Sequence, residues 1–353
     1  MEDRLKMRKE RIMLTGACGF VGSHLVEHLL KNTDWDIVIV DRLDYASNGF
    51  DRLRDIECFD KNRVTTYVHD LNMPIEDGLV QELGEFDYIV HAAAGSHVDN
   101  SITNPVPFVQ NNVNNTLFML EYIRKHQPNI KKFVYFSTDE VYGTAPEGVD
   151  YVEGDRYNPG NPYSASKASA ECICYAYSNT YKIPTVITNT MNVIGERQHP
   201  EKYVPLVISK VMSGDKLSIH SNKEKTKAGQ RHYIHARNVA DGLLFVITKT
   251  NEVLDNIDSS KGKFNIVGEV ELDNLELANM IKDTLREVTG YGYDLNYEMV
   301  DFHSQRPGHD LRYSLCGDKM LTLGWEPPVG FKDSLKKTVK WYLKEGNEKW
   351  LMK

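Results

Sequence analysis

The segment Thr15-Gly16-Ala17-Cys18-Gly19-Phe20-Val21-Gly22 constrains the fold more than any other part of this chain. Before it lies an apolar run, Arg11-Ile-Met-Leu-Thr15, that reads as a buried strand. After it, Ser23 to Lys31 places Leu25, Val26, Leu29 and Leu30 on one side of a helix. Glycines 16, 19 and 22 allow a tight turn and a close approach to a pyrophosphate, whose charge then lies at a helix N-terminus together with Phe20 and Val21. A glycine triplet alone is weak evidence, but here Asp41 ends a second apolar strand, Asp36-Ile-Val-Ile-Val40, at about the expected 20 residues further on. An acid there bonds both ribose hydroxyls and repels a 2′-phosphate, which favours NAD over NADP. Asp70 and Leu71 follow a third strand at Val64–Val68, where the carboxylate either meets an adenine amino group or is a solvated loop acid. Ala92 and Ala93 follow a fourth strand at Tyr88–His91 and leave room for a cofactor beside the first glycine turn.

Alternation of short apolar runs with amphipathic stretches continues through the first half. A long helix is expected from Pro107 to His126, a strand over Lys132–Ser137, a helix from Ser164 to Tyr181 and a strand over Thr185–Asn189. Strands that are apolar throughout belong to a parallel sheet covered on both faces. The expectation is an α/β fold, a Rossmann-type doubly wound parallel sheet over residues 1–190 with a return segment at about 232–262. Residues 191–353 form a smaller C-terminal α/β lobe. There helices are expected at Val239–Val246, Leu275–Val288 and Phe331–Glu345, with an exposed loop over Ser221–Gly229. Fifty acidic against 42 basic residues give a net charge of −8, which speaks against a nucleic-acid-binding protein. No apolar run approaches the roughly 18 residues of a membrane span, and the charged start is unlike a signal peptide. Cys18, Cys58, Cys172, Cys174 and Cys316 show no metal-ligand spacing, so no metal is expected, and the plain reading is a reducing cytoplasm.

Two further motifs carry chemistry. Tyr163-Ser-Ala-Ser-Lys167 puts a phenol and an ammonium one helical turn apart. The cation lowers the phenol pKa, and the phenolate can accept a hydroxyl proton as hydride leaves the same carbon. Alone, such a pair is more often a surface feature than a site. Ser137-Thr-Asp-Glu-Val-Tyr-Gly143 follows the strand at Lys132–Ser137, on the sheet edge where open α/β folds bind ligands. Thr138 can bond a substrate oxygen there, and Asp139 beside Glu140 is either an acid–base pair or a helix N-terminal charge pair.

With these motifs in hand, the chain resembles the extended short-chain dehydrogenase/reductases, and within them the nucleotide-sugar 4,6-dehydratases. The resemblance runs through the glycine turn, Asp41-Arg-Leu-Asp-Tyr-Ala-Ser-Asn48, Ser96-His-Val-Asp99, Ser137 to Gly143, Tyr163 to Ser169, Pro200-Glu-Lys202 and Arg306-Pro-Gly-His-Asp310. Reductases and 4-epimerases of that superfamily share the tyrosine and lysine but usually lack the Thr-Asp-Glu trio. The resemblance implies that Tyr163, helped by Thr138 and Lys167, takes the sugar 4-hydroxyl proton as C4 is oxidised by NAD. Glu140 then removes the C5 proton, Asp139 protonates the departing 6-hydroxyl, and C6 is reduced by the same cofactor. Two carboxylates with unequal burial can hold the different protonation states this needs.

By family position, Arg231 and Arg306 would clamp the diphosphate of a nucleoside-diphosphate hexose, with Asn192, Lys202, Asn265 and His309 nearby, and Ser96 and His97 would line the sugar pocket. The sequence departs from the family at Gly95 for glutamate, Asn100 for arginine, Met191–His199 for an Asn-Asn-Tyr-Gly-Pro run, and His220 for tyrosine. These changes surround sugar and base, so thymine versus uracil stays open, and a small residue at 95 suggests space for a 2-acetamido group. An epimerase or decarboxylase of the same superfamily, or a non-catalytic NAD-binding scaffold, are the alternatives. The resemblance also implies a homodimer built on the helices at 107–126 and 164–181.

Overall fold

A computed structural model describes residues 8–249, 262–301 and 311–351. Seven parallel strands form its central sheet: β1 (Arg11–Thr15), β2 (Asp36–Asp41), β3 (Val64–Val68), β4 (Tyr88–His91), β5 (Lys132–Phe136), β6 (Thr185–Thr190) and, after an interval, β10 (Lys263–Ile266). Their order is β10-β6-β5-β4-β1-β2-β3, so the winding reverses between β1 and β4. A crevice opens at such a reversal, outside the carboxyl ends of the strands. Ile12, Leu14, Ile37, Ile39, Val90 and Val134 are buried beneath the helix Phe20–Asn32 and the helix Ala236–Thr248. Met13, Ile89, Phe133 and Ile187 are buried on the opposite face, under the helices Asn115–His126 and Pro162–Tyr181. This is the doubly wound parallel sheet the apolar strands lead one to expect.

The return segment extends further than expected, because helix Ala236–Thr248 is followed by β10 as the seventh strand, beyond residue 262. A short run such as Lys263-Phe-Asn-Ile266 gives too little periodicity to be recognised as a strand. The smaller lobe is built on β7 (Asn192–Ile194), β8 (Leu217–Ser221), β9 (Gln230–His235), β11 (Val270–Asp273), β12 (Tyr297–Asp301) and β13 (Arg312–Tyr313). In it β9 pairs with β7, β11 and β13, and β8 pairs with β12. Helices Tyr203–Ser213, Asn274–Thr289 and Phe331–Tyr342 enclose Val207, Ile208, Ile219, Leu277, Ile281 and Leu335.

The helix expected over 107–126 is present and contains a π-turn. A short helix, Pro105–Val109, runs into a π-helical turn at Gln110–Asn114 and then into Asn115–His126. π-turns accompany functional sites, and this one carries a side chain that ties it to neighbouring segments. The Asn112 amide leaves its own helix to bond both the N–H and the C=O of Gly95, at 2.8 and 3.1 Å, and donates to Ser166 Oγ at 2.8 Å.

Candidate active site

Gly16 has φ +69°, and a Cβ there would lie 2.8 Å from the Cα and N of Ala93. The β1 turn therefore nests against the turn after β4. Helix Phe20–Asn32 starts with no side-chain cap and no acid in its first turn, so its leading N–H groups remain available to an anion. Asp41 is buried at the end of β2, and its carboxylate accepts from the Cys18 N–H at 2.9 Å and the Leu43 N–H at 2.8 Å, tying the glycine turn to the strand end. Burial nonetheless raises its pKa, against those two bonds. The cavity along this crevice is lined by Gly16, Gly19, Phe20, Val21, Gly22, Asp41, Asp70, Leu71, Ala92 and Ala93, the ten positions the sequence places around a dinucleotide, and by Tyr163 and Lys167, which the sequence assigns to the chemistry beside it. Asp70 sits at its rim, half exposed, 3.8 Å from the Arg42 guanidinium. A cradle of close-packed glycine, an uncapped helix start and a carboxylate at the second strand end fits a dinucleotide. Gly16→Ala should cost about 1–2 kcal/mol in backbone strain alone, and the Cβ clash adds to it. NAD affinity measured by calorimetry is expected to fall at least about tenfold; unchanged affinity would separate the turn from cofactor binding.

A second, adjoining cavity gathers the groups to which the sequence assigns chemistry. Ser96, His97, Thr138, Asp139, Glu140, Tyr163, Asn192, Lys202 and Arg231 line it, and Ser96, His97, Tyr163 and Lys202 face both cavities. The trio leaves β5 in a 3-10 turn, Asp139–Tyr142, which Thr138 caps. Thr138 Oγ1 donates to Asp139 Oδ1 at 3.0 Å, while Glu140 Oε2 accepts from Asn161 Nδ2 at 3.0 Å and Tyr313 Oη at 3.5 Å. Asn161 also caps helix Pro162–Tyr181 in a reciprocal box with Ser164, so one residue both starts the helix that carries Tyr163 and orients Glu140.

The two acids differ in environment. Burial raises Asp139 to about 7, the Glu140 charge adds to the rise, and Arg231 and Thr138 oppose it. Lys167 is brought down to about 8 by burial, against the attraction of Glu171. Its Nζ donates to the Phe136 carbonyl at 2.7 Å. The sequence leads one to expect a phenol at 163 with a lowered pKa. In the structure the Tyr163 phenol lies well above its usual value instead, because burial and the Glu140 charge outweigh the Thr138 hydrogen bond.

Other residues assigned from the sequence divide. Arg231 turns one Nη toward the carbonyls of Gln230 and Leu311, stacks on Tyr313 at 4.5 Å and faces Asp139. Asn265 lies outside both cavities: it is fully buried on β10, with its amide on the carbonyls of Tyr151 and Cys316. Its place in the seventh strand, not recognised from sequence, is the reason. Arg306 and His309 lie outside the described residues. Gly95 lines the cofactor cavity and not its neighbour, and a Cβ there would meet the Phe108 ring 3.1 Å away.

The structure adds residues that sequence reasoning missed. Gln198, on the loop that departs from the family, and Glu201, within the Pro200-Glu-Lys202 segment just after it, line both cavities. That loop holds Arg197 at φ +66°, a strained value for a non-glycine residue. Arg52 Nε grips the Arg197 carbonyl at 2.8 Å, and the Arg197 guanidinium meets Glu27 at 2.6 Å. Asn161 was within reach of sequence reading, since Asn-Pro before a helix signals an N-cap with proline at the first helical position.

A model of the NAD-dependent epimerase/dehydratase family matches residues 12–266. The dTDP-glucose 4,6-dehydratase of Salmonella typhimurium is 34% identical, with 97% of this chain and 94% of that protein covered. The mouse dTDP-D-glucose 4,6-dehydratase is 32% identical over 95% and 89%. Among solved structures, the dTDP-glucose 4,6-dehydratase of Streptomyces venezuelae, determined with NAD bound, superposes with a TM-score of 0.82 at 33% identity, covering 96% of this chain and 98% of its own. The Thermus thermophilus UDP-glucose 4-epimerase, also with NAD, gives 0.79 at 25%, covering 95% and 99%. The chain belongs to the NAD-dependent epimerase/dehydratase family.

Proposed function

We propose that this chain is a nucleotide-sugar 4,6-dehydratase, an NAD-dependent lyase that converts a nucleoside-diphosphate gluco-hexose to the 4-keto-6-deoxy sugar. The observation that carries the reading is the Thr138–Asp139–Glu140 turn opening into the same cavity as Tyr163. Relatives that cover nearly the whole chain are dTDP-glucose 4,6-dehydratases, which supports dTDP-glucose as the first substrate to test and UDP-glucose or UDP-GlcNAc as its comparators.

NAD, held at the glycine turn and Asp41, supplies reversible two-electron exchange with the sugar. Tyr163, whose phenolate the Thr138 hydrogen bond favours against burial and the Glu140 charge, accepts the 4-hydroxyl proton, with Lys167 one helical turn further along the same helix. A ketone at C4 makes the C5 hydrogen acidic, and Glu140, held by Asn161 and Tyr313, removes it. Asp139 stays protonated to near neutrality because it is buried beside another acid, so it can protonate the leaving 6-hydroxyl. Arg231 and Lys202 offer positive charge to the diphosphate, with Asn192 nearby and Ser96 and His97 toward the sugar. The resemblance adds Arg306 and His309. A cytoplasmic homodimer completes the proposal; Val106 and Val109, exposed on the outer side of the helical segment at 105–126, support that surface as the contact.

Substrate labelled with deuterium at C4 tests the reading. The label is expected on the C6 methyl of the product, in a 4-keto sugar that absorbs in alkali. An isobaric hexose would identify a 4-epimerase, and the absence of turnover with all three sugars a scaffold.

A further inference from the structure

Behind the catalytic turn lies a charged pair that the mechanism above does not use. Glu171 and Lys263 are both fully buried, with Nζ and Oε2 2.8 Å apart. Glu171 stands two helical turns from Tyr163 and one from Lys167 on the same helix, so all three share a face. Its carboxylate gathers donors from four directions: Ser137 Oγ at the end of β5, Asn189 Nδ2 on β6 at 2.9 Å, Tyr157 Oη at 2.6 Å and Lys263 Nζ on β10. The same Asn189 amide donates to the carbonyl of Thr138 at 2.8 Å. One carboxylate therefore fastens the last residue before the trio and, through Asn189, the trio's first peptide. Lys263 is enclosed by the rings of Tyr142 and Tyr157, each 4.4 Å from Nζ.

A buried ion pair is a poor source of stability, since well-packed apolar residues of similar volume often do as well or better. Its presence directly beneath the reacting groups calls for another reason. We infer that Glu171, with Lys263 as its counter-ion, is a positioning residue for the reaction: it fixes the end of β5 that presents Thr138, Asp139 and Glu140, and it sets the charge that faces Lys167. Lys167 meets Glu171 and Cys174 on its own helix, His91 on β4 and the ring of Tyr135 on β5 at 4.2 Å. Of these, Glu171 is the carboxylate, and its attraction keeps the buried ammonium protonated. The inference rests on the proposed role of Lys167 beside Tyr163.

Glu171→Gln leaves Lys263 buried without a counter-ion, so the decisive variant is Glu171→Gln/Lys263→Met, which removes both charges at similar volume. Two readouts are taken from the holoenzyme. The first is the titration midpoint of Lys167 by 13Cε-lysine NMR, its resonance assigned by its loss in Lys167→Met. The second is the pH profile of kcat and KM. In the double variant the Lys167 midpoint is expected to fall by about one pH unit. The alkaline limb of kcat, which loss of the Asp139 proton opens near pH 7, should steepen with it, and kcat at pH 8 should drop by about fivefold at nearly constant KM. A thermal midpoint near that of the parent would show that the fold is intact. A Lys167 midpoint and a pH profile that superpose on the parent's would overturn the inference and leave the pair a packing feature. The NMR titration needs no turnover, so it decides the matter even if the parent fails to dehydrate any sugar, a result that would count against the proposed reaction alone.

Discussion

Glu140→Gln is expected to lower kcat for dehydration by about 10²–10⁴-fold, the usual contribution of a positioned general base. The amide keeps the length and shape of the side chain, and its oxygen can still accept from Asn161 Nδ2 and Tyr313 Oη, so substrate affinity and fold should change little. What is lost is the ability to take a proton. In heavy water the parent is expected to place solvent deuterium at C5 of the product, whereas the variant should leave unreacted sugar with its C5 hydrogen intact. The substitution has a second consequence, because the Glu140 charge is one of the two causes that hold Asp139 up. Without it Asp139 ionises at lower pH, and the residual activity should retreat toward acid. Near-normal turnover with solvent exchange at C5 would remove Glu140 from the base role, and the dehydratase reading would lose its distinguishing residue.

Much of the central sheet was legible because β1, β2, β4 and β5 announce themselves by short apolar runs, β3 and β6 by β-branched residues, and because Gly16, Gly19 and Gly22 mark the first turn. Tyr163, Lys167 and the trio were legible as local motifs. What the sequence conceals is whatever depends on distant segments meeting. Lys263 and Asn265 belong to a strand of four residues that joins the sheet only after a long excursion, so neither the Glu171 pair nor the burial of Asn265 could be foreseen. The π-turn at Gln110–Asn114 sits in a stretch whose helical periodicity is intact, and the bond of Asn112 to Gly95, 17 residues upstream, leaves no mark on that periodicity. Burial is the other hidden quantity. The spacing of Tyr163 and Lys167 implies a lowered phenol pKa, yet enclosure and Glu140 reverse its direction. Adjacent acids in sequence say nothing of which one is protonated; the structure distinguishes them by enclosing Asp139 and tethering Glu140 to Asn161.

That distinction makes Asp139→Asn the second large effect, and one with opposite consequences for activity and stability. The amide can fill the same space and accept from Thr138, but it has no acidic proton to give the departing 6-hydroxyl, so kcat should again fall by about 10²–10⁴-fold. Stability moves the other way. Asp139 is raised from 3.8 to about 7, so the folded protein binds its proton more tightly than the unfolded chain does. Between these two values the unfolded state has released a proton that the folded state retains. Stability therefore falls as pH rises through that window and is lowest above 7, by as much as about 4 kcal/mol. The asparagine variant carries no such dependence at this position. Its thermal midpoint should exceed the parent's at pH 8, with the gap closing as pH is lowered toward 4, as calorimetry across that range would measure. The parent's own kcat should decline above about pH 7 as the acid loses its proton. A variant as active as the parent would exclude Asp139 as the acid. One inactive but no more stable at pH 8 would show that the folded protein carries the Asp139 charge without strain, and the assignment of acid to Asp139 and base to Glu140 would have to be exchanged.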